Sequence, residues 1–132
     1  MEKGYKFIFV LDEKKIVRKA VATLEILGQV IVPDPGLHDY IKKRTNKARV
    51  ISIIGKNKKE YKTGFSIYDI PEDIFDTNRL GGKIVGNMRD HLKYKVGRIV
   101  KSKLETNWLY VCAEGIHFFS TKSELNRFWQ NL

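Results

Sequence analysis

The chain has 132 residues, 42% of them apolar and 11% aromatic, with only three prolines. That is enough for one hydrophobic core, short for two, and too apolar for a disordered or collagen-like polypeptide. Twenty-five Lys and Arg against fifteen Asp and Glu leave a formal charge of +10, which suits an anionic partner, and the lone cysteine, Cys112, excludes a disulfide framework or a multi-cysteine zinc site.

Tyr5, Phe7 and Phe9 alternate with Lys6, Ile8 and Val10, which predicts a first strand with both faces covered. Asp12 to Lys15 form a polar turn. In Ile16 to Ile26 two periodicities compete: Ile16, Val17, Ala20, Val21 and Leu24 share a helical face, but the β-branched content and the short connection favour a hairpin return, and a strand is expected. Gln29 to Val32 adds a short strand. Pro33-Asp34-Pro35-Gly36 breaks it, and a helix is expected over Leu37 to Arg44.

Lys47 to Ile54 is a β-branched strand, Gly55 to Lys59 a loop, and Tyr61 to Tyr68 the partner strand of a second hairpin. Pro71, Glu72 and Asp73 open a short helix, followed by a connection at Asn78 to Gly82 and an extended piece at Lys83 to Val85. Tyr94 to Val100 alternates as one strand bent at Gly97. Trp108 to Val111 and Ile116 to Phe119 are two more short strands. Thr121 and Glu124 have the spacing of a capping box for a terminal helix, with Leu125, Phe128 and Trp129 on its buried face. The expected fold is α+β: residues 1 to 132 as one domain of mainly antiparallel strands, a few short helices and a C-terminal helix.

The charge is not spread evenly. Residues 42 to 62 carry nine cations and one acid, and residues 83 to 103 carry seven cations and one acid. If the fold joins these segments they make one positive face. Lys42, Lys43, Arg44, Lys47 and Arg49 are the first set of candidate phosphate contacts, the arginines gripping bidentately and the lysines acting as point charges; Arg89, Lys93, Lys95, Arg98 and Lys101 are the second. Tyr40, Tyr61 and Tyr94 sit beside cations, a pattern suited to stacking on bases. The competing account is that the lysines solvate a hairpin and guard a sheet edge, while the tyrosines bury their rings.

Chemistry is poorly supported. Cys112 and His117 offer a thiol and an imidazole only if a turn at Gly115 brings them together, and alternation places Ile116 and Phe118 on one face with His117 and Phe119 on the other. His38, His91 and His117 lack metal-ligand spacing, and Gly81-Gly82-Lys83 is not a phosphate loop. No catalytic residue, metal or cofactor is assigned. No apolar run nears the roughly 18 residues of a membrane span, so a cytoplasmic protein without a membrane partner is expected.

Ala22-Thr23-Leu24-Glu25-Ile26, Lys43-Arg44 with Lys47-Ala48-Arg49-Val50, Tyr94 to Val100, and above all Cys112-Ala113-Glu114-Gly115-Ile116-His117-Phe118-Phe119 together resemble an uncharacterised domain family of phages, large viruses and bacteria, often placed after pentapeptide repeats. Leu27 to Tyr40 departs from that family's proline-bearing, serine-rich stretch, and residues 69 to 93 resemble an insertion in it. The resemblance implies a viral or mobile-element setting and no chemistry. Gly115 to Phe119 also resembles the Gly-Ile-Tyr-Phe strand of ADP-ribosyltransferases, which would make Glu124 the candidate acid of an NAD-binding enzyme. The expected function is a non-enzymatic protein binding nucleic acid or a nucleoprotein assembly. The alternative is a module that binds a host or virion protein.

Overall fold

A computed structural model describes residues 1–34, 36, 41–66, 93–109 and 114–128. Strands β1 (Lys3–Leu11) and β2 (Val17–Ile26) form a hairpin in continuous register from Lys3 opposite Glu25 to Leu11 opposite Val17. Asp12 shapes the turn: its Oδ1 accepts the backbone N–H groups of Lys14 and Ile16, each at 2.9 Å. Over β2 the period of two prevails over the helical pattern, with Ala20, Ala22 and Leu24 buried and Lys19, Val21 and Thr23 less so.

The hairpin does not stop at Ile26. β2 runs through a corner into β3 (Val30–Ile31), and its partner strand does the same, β4 (Lys43–Thr45) passing through Asn46 into β5 (Lys47–Gly55). Three residues, Leu27 to Gln29, oppose two, Asn46 and Lys47. Leu27 and Gly28 both donate to the Lys47 carbonyl at 3.0 Å, and the Asn46 Oδ1 accepts from the Gln29 N–H at 3.0 Å. A Cβ at Gly28 would overlap that same oxygen, so the corner needs glycine. The outcome corrects the helix expected to reach Arg44. Residues 37–40 lie outside the described set, but Lys43–Thr45 is strand, paired on both sides, and that pairing outweighs the local helical pattern.

Between Thr23 and Leu24 the β2–β5 register shifts, so that Ser52 faces Thr23, Val50 faces Leu24, and Ile51 is left as a bulge. After the Gly55–Lys59 turn, the expected second hairpin is brief. Tyr61 donates to the Ile53 carbonyl, but β6 (Thr63–Phe65) turns away to pair with β1 and with β7 (Lys93–Lys95). The strand expected over Tyr94 to Val100 is two strands. Gly97, at φ +86°, and a 2.9 Å bond from the Arg98 N–H to the Lys95 carbonyl reverse the chain into β8 (Ile99–Lys101), which pairs with β5.

The order β7-β6-β1-β2-β5-β8 therefore has consecutive strands at its two edges. A tight turn joins them, so the sheet rolls up. Val96 donating to Lys62 and Gly97 donating to Val50 seal the seam. A second sheet, β3-β4-β9 with β9 at Ile116–Phe118, is stitched to the first by the corner and by Phe119, which exchanges two backbone hydrogen bonds with Tyr5 at 2.8 and 2.9 Å. Ile8, Leu24, Val50, Ile53 and Tyr94 meet Ile116 and Phe118 in the core between the sheets. Helix α1 (Lys122–Phe128) begins as its capping box requires, the Glu124 N–H donating to Thr121 Oγ1 at 3.1 Å, and it buries Leu125.

The architecture is thus largely antiparallel β with one short C-terminal helix among the described residues, so the expected predominance of antiparallel strands and the C-terminal helix are present. The helix expected at Pro71 to Asp73, the connection at Asn78 to Gly82 and the extended piece at Lys83 to Val85 lie outside the described residues, as do Tyr110 and Val111 of the Trp108 strand. Trp108 and Leu109 themselves form a turn.

Candidate nucleic-acid interface

The two cation-rich segments meet, because β5 pairs with β8 and the Val96 N–H donates to the Lys62 carbonyl. In the first pairing Lys47 stands directly opposite Lys101, and Arg49 directly opposite Ile99. The residues between them, Ala48 and Val100, point into the core, so Lys47, Arg49, Ile99 and Lys101 share the outer surface. Like charges directly opposite one another weaken a sheet. Lys93 and Lys95 flank buried Tyr94 and are exposed, as is Arg98 in the turn that leads to β8. Among the described residues no acid pairs with Lys47, Lys95, Arg98 or Lys101; Arg49 meets Glu25 at 3.3 Å, a surface pair that water screens.

The rest of the first set goes elsewhere. Arg44 is 0% exposed, and its guanidinium donates from Nε to the Glu105 carbonyl and from Nη2 to the Asn107 carbonyl, both at 2.7 Å. It is a structural clamp and is withdrawn as a phosphate contact. A buried charge persists because carbonyl dipoles replace its water. Lys43 Nζ donates to Ser120 Oγ at 2.7 Å, and Lys42 Nζ lies 5.0 Å from the centre of the Phe128 ring, so both serve the seam between β4 and α1. Arg89 lies outside the described residues.

The stacking expectation is corrected in the same way. Tyr94 is 0% exposed, its ring part of the core, and is withdrawn. Tyr61 is half-buried and packs against that core, with Lys59 Nζ 5.8 Å from its ring centre; Tyr40 lies outside the described residues. Three aliphatic side chains, Ile51, Val96 and Ile99, stand 39%, 38% and 42% exposed on β5, on the β7–β8 turn and on β8. Sequence reasoning missed them: a bulge and a turn residue look like ordinary strand positions when only the alternation is read. It missed Trp108 as well, 55% exposed on a turn where a strand was expected.

At the far end of the β1–β2 hairpin the charges are balanced. Arg18 meets Asp12 at 3.1 Å and Lys59 meets Glu13 at 3.0 Å across a shallow recess with Asn57 and Tyr61. Hydrogen bonds from the Ile16 backbone and from Arg18 hold the Asp12 carboxyl below its ordinary value, and Glu13 raises the Lys59 ammonium. Paired charges of this kind do not make an anion site.

Cys112 lies outside the described residues, as do the acids from Asp69 to Asp76. His117 is half-buried, its carbonyl accepting from Lys6 Nζ at 3.2 Å. The Glu124 carboxylate is engaged by the Ile41 N–H at 3.0 Å and the Thr121 hydroxyl at 3.4 Å, which suits a cap better than an acid facing a substrate. No group of three metal-ligating side chains occurs among the described residues, and no described helix is long and apolar enough to cross a membrane. Comparison with known families, curated proteins and solved structures finds no match.

Proposed function

We propose that this protein is a non-enzymatic binder of nucleic acid that grips the phosphate backbone through Lys47, Arg49 and Lys101, joined by Lys93, Lys95 and Arg98. The observation that carries the reading is the cross-strand pair of Lys47 and Lys101, like charges set opposite each other with no acid between them among the described residues. Such a pair costs folding free energy that an approaching phosphate relieves. Contacts of this type give affinity without choice of sequence. The phage or mobile-element setting is proposed on the resemblance of the Cys112–Phe119 block.

The double variant Lys47→Glu/Lys101→Glu tests the reading against Lys14→Glu/Lys56→Glu, which changes the net charge equally at exposed sites away from β8. Binding to a labelled oligonucleotide should weaken, with a salt slope shallower by about 1.5 to 2, only in the first variant. Equal losses in both would reduce the effect to net charge.

Ile51, Val96 and Ile99 favour a second reading, a module that docks on an acidic protein surface with aliphatic contacts. Its association would survive high salt and nuclease digestion in a pull-down. Nucleic-acid bridging would not.

A further inference from the structure

The loop after β8 follows the β5–β4 strand back across the molecule. The Ser102 N–H donates to the Asn46 carbonyl at 3.0 Å, then Arg44 holds the carbonyls of Glu105 and Asn107. Exposed Lys103 lies along this path, and at its end stands Trp108. The backbone on either side of that tryptophan is fixed: the Asn107 N–H donates to Glu105 Oε1, the Leu109 N–H donates to Asn107 Oδ1, and the Trp108 carbonyl accepts from the Asp34 N–H, at 3.0, 3.0 and 3.3 Å. A lone exposed apolar side chain calls for no explanation. Here a buried arginine, costly to desolvate, fixes the carbonyl that precedes a large exposed aromatic ring, and Lys101 and Lys103 lead the chain towards it, with the Glu105 carboxylate turned to the Asn107 N–H.

We infer that Trp108 is a stacking platform for an unpaired base, so that the nucleic acid held by the cationic face is single-stranded; the inference rests on the function proposed above. Cations that track a backbone, with a rigid aromatic beside them, are the two parts that single-strand binding needs. A duplex keeps its bases stacked on one another and presents no free ring face to an indole. Stacking tolerates any base, which agrees with phosphate contacts that make no sequence choice. The eight residues from Lys101 to Trp108 reach at most roughly 28 Å, so the path accommodates a short stretch of strand.

The full chain is tested with a mixed-sequence DNA strand of about twelve nucleotides, within the usual range of single-strand site sizes, and with the same strand in a duplex. The chain has two tryptophans, so Trp129→Phe isolates the fluorescence of Trp108. The single strand should quench that fluorescence and bind more tightly than the duplex. Trp108→Ala should weaken single-strand binding about tenfold or more with an unchanged salt slope, and Trp108→Phe, which keeps a ring, should recover part of the loss. Tighter binding of the duplex, or an unchanged affinity in Trp108→Ala, overturns the inference while leaving the backbone-binding function standing. If neither probe binds, that function fails and the inference fails with it.

Discussion

Arg44 and Arg49 are five residues apart in one basic run and have opposite roles. Arg49 points outward from β5 and meets Glu25 at the surface, while Arg44 is fully buried with two main-chain carbonyls on its fork. Charge reversal at Lys43, Arg44 and Lys47 together, the natural test from sequence, would therefore measure folding rather than binding. Arg44→Met should cost about 3 kcal/mol or more in urea unfolding, since two charge-assisted hydrogen bonds vanish and two carbonyls lose a donor. Arg44→Lys should rescue little, because one ammonium does not reproduce the planar fork. Thr45, next to it, is fully buried with an Oγ1 that finds no hydrogen-bond partner among the described residues. Thr45→Val should therefore stabilise the fold by about 1 kcal/mol in the same assay. Asp12 gives a pH effect. Its carboxyl is lowered from 3.8 in the folded chain, chiefly by the Ile16 N–H, so its contribution is present above that value and is lost as pH falls through the lowered one. Thermal unfolding followed downward from about pH 4 should fall less steeply in Asp12→Asn than in the parent chain.

At the scale of elements, the β-branched and aromatic pattern was a good guide to where strands lie, both where one face is buried, as in β2, and where both are covered, as in β1. β1, β2 and β5 stand where the pattern places them, and the capping box at Thr121 and Glu124 marks the start of α1. What the pattern hides is where a strand changes partner. Tyr94 to Val100 alternates without interruption, yet Gly97 reverses it and sends the two halves to opposite edges of the sheet. The same glycine that suggests a bend permits a full turn, and only pairing with β5 and β6, distant in sequence, decides between them. Likewise, the Leu27–Gln29 corner carries one local sign, Gly28, whose meaning depends on Asn46 from the other strand. Gly28→Ala should destabilise the fold by at least about 2 kcal/mol by overpacking the corner, measured by chemical denaturation. Gly97→Ala should cost about 1 kcal/mol, since its Cβ meets open space and only the left-handed backbone resists it.

For the whole molecule, the decisive event is the rolling of the six-stranded sheet, which brings residues 47 to 65 against residues 93 to 101. Composition showed that the excess charge lies in two segments, but register alone sets Lys47 opposite Lys101. The fold also sorted the candidates, leaving half-buried Lys47 and the exposed cations of β5, β7, β8 and their connecting turn on the surface, directing Lys42 and Lys43 to the helix seam, and placing Arg44 and Tyr94 inside. The sequence could not reveal this, because lysine and arginine carry the same charge on either face of a strand, and burial depends on what packs there. The account is tested most directly by the salt dependence of oligonucleotide binding to the unmodified protein. With Lys47, Arg49, Lys93, Lys95, Arg98 and Lys101 each neutralising a phosphate of a single strand, log K should fall linearly with log salt at a slope of about −4. No binding at low salt, or an affinity indifferent to salt, would contradict it.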